Sequence, residues 1–200
     1  MQPSFSDSPV QGFAPDEVAN TQLRSGLVAP SQQSPLWGGM AVTVSVPGSG
    51  LVVVNNVPRP ALAASVGPVL SLATATSNIT GFTTFNQSDR LSMSAQNSVP
   101  QARAGDGTNP GGAINFFTLK SRARLWLQCS KDAAAALDGG SITAAVYWDY
   151  AKQRLITRPA NAEDSPLNVT FLRLSENAGA QVVTPDGTCW ESGCAALIQI

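Results

Sequence analysis

Ala41-Val42-Thr43-Val44-Ser45-Val46 places three valines on one side of an extended chain and small residues on the other. The period is two, which is that of a strand with one buried face. Pro47-Gly48-Ser49-Gly50 follows as turn sequence and Leu51-Val52-Val53-Val54 returns, so the stretch predicts a hairpin with a four-residue loop. Outward from it, further strands are expected at Ile79–Phe85, Ile114–Leu119, Ala123–Cys129, Ile142–Trp148, Arg154–Thr157, Val169–Leu174, Gln181–Thr184 and Ala195–Ile200. Clusters of Gly, Pro, Asn and Asp at 88–90, 96–101, 105–112, 137–140, 158–166 and 184–187 punctuate them. One body segment reads as helix: Ser130 is a capping residue, Lys131 to Leu137 suits one or two turns, and Gly139-Gly140 stops it. Many short strands between turns give a mostly β fold, a single barrel-like or sandwich-like domain.

That domain is expected over residues 37–200, preceded by an arm over residues 1–36 that is dense in Ser, Pro and Gln. Within the arm a short helix is expected, with Pro15 in its first turn, Asp16 and Glu17 near its positive end, Arg24 in its last turn and Gly26 as the stop. Phe5, Phe13, Val18, Leu23 and Leu27 occur at irregular spacing, too sparse for a core of their own. Such a segment gains most by lying along a partner, so it is expected to clamp a neighbouring subunit, with Trp37 fixing its exit from the body. On this reading, removing residues 2–30 spares the barrel.

In Ala123–Cys129, Leu125, Leu127 and Cys129 face one way and Arg124, Trp126 and Gln128 the other. A Trp on the second face implies that something covers it, such as another subunit. Trp37, Trp126 and Trp190 are therefore candidate interface residues, since Trp is enriched at binding hot spots, with core packing as the alternative for each. Trp126 and Trp148 sit in strands, which favours the structural reading for both.

Composition argues against an enzyme. The 200 residues contain no His, which removes the commonest general base and metal ligand. Charged residues are 12% and the net charge is −1, with no basic cluster of the kind nucleic-acid binding requires. The start, MQPSFSDSPV, lacks the basic and apolar regions of a secretory signal. Leu51–Val54 is the longest strongly apolar run, far below the roughly 20 residues that span a bilayer, so no membrane partner is expected.

No motif carries chemistry. Gly48-x-Gly50 is followed by Val53 and a strand, where a dinucleotide fingerprint needs a third Gly and a helix. Cys189 and Cys194 lack the further ligands of a zinc site, and read as a reduced pair in a loop or one oxidised after release from the cell. The loop Ala104–Gly112 offers one carboxylate, Asp106, where a tight Ca²⁺ site needs several. Asp16-Glu17 and Glu163-Asp164 read as solvated charges, not as an acid–base pair. Catalytic, cofactor-binding and metal residues are expected to be none.

Several segments resemble the structural cement, or capsid decoration, proteins of tailed bacteriophages. Leu36-Trp37-Gly38-Gly39-Met40-Ala41-Val42 is similar to that family's entry into its first strand after an arm. Ile79-Thr80-Gly81-Phe82-Thr83-Thr84-Phe85-Asn86 resembles the segment where the barrel insertion ends. Gly112-Ala113-Ile114-Asn115-Phe116-Phe117 and Arg124-Leu125-Trp126-Leu127 look like its return strands, and Gly139-Gly140-Ser141-Ile142 to Asp149 like its glycine turn and next strand. The likeness spans Leu36 to Thr157, and Arg158–Ile200 departs from it. It implies a protein made in the host cytoplasm that bridges major capsid protein subunits on the outer surface of the virion, without catalysis or cofactor. A homotrimer is the favoured assembly, with a dimer as the alternative. Other classes compatible with the composition are a phage tail or spike accessory subunit, which should show longer repetitive β segments, and a carbohydrate-binding β-sandwich. The latter should expose aromatics on one sheet face, whereas 6% of this chain is aromatic.

Overall fold

The computed structural model describes residues 10–15, 22–46, 51–54, 57–60, 67–84, 101–107, 109–159, 162–184 and 187–200. In chain order the strands are β1 (Arg24–Val28), β2 (Leu36–Trp37), β3 (Ala41–Ser45), β4 (Leu51–Val54), β5 (Val57–Pro60), β6 (Val69–Leu72), β7 (Gly81–Thr84), β8 (Gln101–Ala102), β9 (Ala113–Thr118), β10 (Arg124–Gln128), β11 (Tyr147–Asp149), β12 (Arg154–Ile156), β13 (Thr170–Thr184) and β14 (Gly187–Gln199). Helix α1 (Lys131–Leu137) lies between β10 and β11. The fold is mostly β, as the alternation predicts.

Five strands close into a barrel in the order β1-β6-β3-β7-β9. The alternation at Ala41–Val46 explains its two sides. Val42 and Val44 join Val28, Leu70, Ile114 and Phe116 inside, while Ala41 belongs to a second core outside the wall, with Phe82 and Phe117. Fully burying each large apolar side chain contributes roughly 1.5–3 kcal/mol.

The expected hairpin of β3 with β4 does not form. β3 pairs antiparallel with β6, matching Val42 with Leu72 and Val44 with Leu70, whereas β4 pairs with β5. Leu70 and Leu72 extend the apolar face of the valines across the wall, and the separation of two residues between Val54 and Val57 is the spacing of a tight hairpin.

The expected helix in the arm also fails at its C-terminal end, because Arg24 and Gly26 lie in β1. That strand pairs antiparallel with β9 and parallel with β6. Gly26 is a close-approach residue, not a helix stop: a Cβ there would lie 2.8 Å from the Pro68 carbonyl oxygen and 3.0 Å from Leu70 Cδ1. Residues 24–28 are thus barrel wall within the stretch read as an arm.

The outer face of the barrel packs on a second sheet of order β10-β14-β13. Leu125, Leu127 and Cys129 face this interface, as their alternation predicts, and meet Ala196, Ile198 and Phe171. The hairpin β11–β12 seals one side. Trp148 stacks edge-on against Phe82, with ring centroids 5.2 Å apart, and Gln153 Oε1 accepts from Ala41 N and Trp148 Nε1. The strand expected over Ile142–Trp148 shortens to β11, because residues 142–146 form a turn and coil against β13. α1 begins as expected, with Ser130 Oγ accepting from Ala133 N at 3.1 Å.

Two separate strands were expected at Val169–Leu174 and Gln181–Thr184, yet β13 runs continuously across both and pairs with β14. Register shifts after Phe171 and after Ser175 keep the paired strands together through Glu176-Asn177, where the alternation breaks.

The outward face of β10 is covered by the chain itself. Val10 and Phe13 pack on Trp126, Ala178, Ala195 and Leu197. Gly12 N donates to Trp126 O, Trp126 N to Phe13 O and Gln11 N to Gly179 O, while Thr84 Oγ1 donates to Gly12 O at 2.6 Å. Gly12 adopts φ +76°, and a Cβ would lie 2.4 Å from Gly38 C. Only glycine permits this backbone-to-backbone contact.

A chain lacking residues 2–30 loses a barrel strand, so its near-UV circular dichroism should show no cooperative thermal transition. Gly12→Ala combines strain at positive φ with a backbone clash and should cost more than about 2 kcal/mol. Differential scanning calorimetry should then find Tm lowered by roughly 5–10 °C.

Candidate interaction surface

The described residues hold no group of three or more His, Cys, Asp or Glu placed to share a metal ion. Asp106 is engaged in its own loop, accepting from Asn109 N at 2.6 Å and from Asn109 Nδ2 at 3.0 Å. That loop is tied to the barrel by Gly105 N to Gln32 O and Gly107 N to Pro30 O. Asp149 caps the turn after β11 through Ala151 N and Lys152 N, and lies 3.9 Å from Arg154 Nε.

A cleft of about 190 Å³ opens between the loop after α1 and β13, lined by Asp138, Ser141, Ile142, Phe171, Arg173 and Leu174 among others. Local sequence builds each wall. Gly139 takes φ +66° and turns the chain out of α1, and Ile142 O then accepts from Phe171 N at 2.8 Å, holding the loop on the strand. Leu172 is the extra residue of the bulge between Phe171 and Arg173, so the alternation slips and Leu172 and Arg173 are both exposed. Ile142 is 63% exposed and Leu172 43% exposed, an apolar pair at the rim. Sequence reading assigned both to ordinary strands. The run Gly139-Gly140-Ser141 was the signal that Ile142 sits on a loop.

Of the residues expected to form an interface, Phe13, Leu23, Leu27, Trp37 and Trp126 are buried or partly buried in the fold. Phe5 and Val18 lie outside the described residues. Phe13 and Trp126 meet in one buried cluster, so the second face of β10 is covered from within the chain, not by another subunit. Leu23 packs partly buried against the main core, and Trp37 against the barrel interior. Leu27 is half-buried in β1, where it pairs with Val69 and Ala113. Trp190 pairs with Gln181 in the ribbon formed by β13 and β14.

The expectation of a cysteine loop is corrected, since Cys189 and Cys194 both lie in β14. Five residues of extended strand separate them by about 16 Å, too far to bridge within one chain. Cys129 is buried against the main core. Desolvation, reinforced by Cys194 and opposed by Arg154, pushes its thiol up to about 12. Burial likewise raises Tyr150, against a hydrogen bond with Thr76 Oγ1 that lowers it.

The β13–β14 ribbon is the other surface feature. Of β14, the described pairing of β10 takes Ala195–Gln199, whereas β13 and β14 remain paired with each other out to Thr184 and Gly187. Val10 bridges to Gly179, and beyond that point each strand's described pairing is with the other alone. No protein-family profile, curated protein or solved structure matches the chain.

The Cys129 thiol stays protonated in the fold at pH values where it ionises in the unfolded chain. Its contribution is complete below the ordinary thiol range and is lost as pH rises toward 12. Urea midpoints should therefore fall between about pH 9 and pH 11, and Cys129→Val should flatten that decline.

Proposed function

We propose that this chain is a structural, non-enzymatic protein that decorates a bacteriophage capsid and stabilises it by bridging neighbouring major capsid protein subunits on the outer surface. The observation that carries this reading is the ribbon of β13 and β14, in which the two strands stay paired with each other beyond β10 in the sheet packed on the closed barrel. A two-stranded ribbon is marginal on its own in water and gains stability by lying on another surface. Among the described residues no further strand pairs with it beyond Gly179, so its edges can offer main-chain donors and acceptors to a partner strand. The exposed pair Ile142 and Leu172 supplies apolar contact on the loop side of β13. Support also comes from the composition, with no His and few charges, and from the likeness of Leu36–Thr157 to cement proteins.

The mechanism is binding alone. A subunit held at two points on neighbouring capsid proteins must be detached before those proteins separate, so the barrier to shell rupture rises without any chemistry. Multivalent attachment strengthens such a bridge when copies associate, with a homotrimer as the proposed form.

The test is to mix the purified full chain with expanded heads assembled from the major capsid protein of the same phage genome. Negative-stain imaging and sedimentation should show saturable decoration, and heads should withstand heating that ruptures undecorated ones. Replacing residues 181–190 by Asn-Gly shortens the ribbon while leaving the pairing with β10 intact, and should weaken retention at least tenfold. Absence of binding by the full chain overturns the proposal, and binding unaffected by the shortened ribbon removes the ribbon from it.

A further inference from the structure

We propose that Cys129 and Cys194 form a cross-strand disulfide under oxidising conditions, a covalent staple at the point where the ribbon leaves the three-stranded sheet. The pairing of β10 with β14 runs from Arg124 opposite Gln199 to Gln128 opposite Ala195. One step further places Cys129 opposite Cys194, and Cys129 N donates to Cys194 O at 2.9 Å, so the ladder continues through the two cysteines. Directly opposed residues in an antiparallel ladder have Cα atoms about 4.5–5.5 Å apart, within the roughly 4.4–6.8 Å that a disulfide spans. They also present side chains to the same face. Both cysteines pack on the main core with Leu127 and Ala196, confirming that shared face, and both are free thiols.

Accessibility divides the labour. Cys194 is half-buried and Cys129 buried, so Cys194 meets the oxidant first. With oxidised glutathione, the Cys194 thiolate attacks one glutathione sulfur, forms a mixed disulfide and releases one glutathione thiol. The Cys129 thiol, losing its proton, then attacks Cys194 Sγ, and the second glutathione departs as a thiol. Two protein thiols are oxidised to one disulfide and one glutathione disulfide is reduced to two thiols. The bond closes the chain segment holding α1, β11, β12 and β13, a loop long enough for cross-linking to restrict the unfolded state strongly. Cys189 has no such partner, since it stands opposite Val182.

The experiment uses the full chain and a Cys189→Ser variant, each incubated with excess oxidised glutathione, alkylated with iodoacetamide and digested with trypsin and a glutamate-specific protease. Cleavage after Glu191 separates Cys189 from Cys194, so mass spectrometry assigns the bond. A linked pair of peptides carrying Cys129 and Cys194 is expected in both proteins, with alkylated Cys189 in the full chain. Tm should rise by on the order of 10 °C and return on addition of dithiothreitol. A bond from Cys189 to either residue, a disulfide-linked dimer as the main product, or alkylation of all three cysteines overturns the proposal.

Discussion

The architecture depends on one contact between backbones, that of Gly12 with Gly38 and Gly39. Nothing larger than hydrogen fits there, and the absence of a side chain lets Gly12 offer both its N–H and its carbonyl in a space shared by two layers. Its carbonyl takes the hydroxyl of Thr84 from the barrel and its amide binds Trp126 in the second sheet. Its neighbour Gln11 reaches Gly179 in the ribbon. A single turn of chain therefore ties the barrel to the second sheet and its ribbon, and sets Phe13 over Trp126. Among the described residues Trp126 Nε1 is buried with no hydrogen-bond partner.

A second joint works on the opposite principle, with a buried polar group in place of a missing side chain. Gln153 is enclosed at positive φ (+49°), which is uncommon for a residue with a side chain. Its carbonyl oxygen serves Ala41 of the barrel and Trp148 of the β11–β12 hairpin, and its amide serves Tyr150 O. Every hydrogen-bonding atom named has a partner, so the strain is held by a satisfied network and not by packing alone.

Much of the wall was legible in the sequence because its strands bury one face each and so show period two. Val42 and Val44, and Leu125, Leu127 and Cys129, read correctly for that reason. α1 was legible from a local cap and a local stop. What escaped depended on distant residues. Gly26 looks like a helix stop until Pro68 and Leu70 are brought against it. The ribbon is masked by Ala178-Gly179-Ala180, small residues whose strand state comes from pairing with Gly193, Ser192 and Glu191. The cover over Trp126 was foreseeable as a need, but its source was not, because Phe13 lies more than a hundred positions away in sequence. The candidate surface was less legible still: Leu172 is exposed through a bulge, which shifts a register that alternation alone cannot reveal.

The parallel contact of β1 with β6, and its pairing with β9, have a consequence for synthesis. During translation β1 leaves the ribosome with neither neighbour made, and Phe116, the partner of Arg24, follows about 90 residues later, roughly 5–20 s at ordinary elongation rates. Until β6 follows, about 40 residues on, the strand waits in the nascent chain with two open edges, and from then until β9 with one. Gln11 waits longer, since Gly179 follows about 170 residues after it. The barrel therefore closes late and the N-terminal tie later still, so a chain stalled before its ribbon exists has no way to finish its first layer-to-layer seam. Vectorial synthesis thus makes the β13–β14 hairpin a checkpoint on that seam.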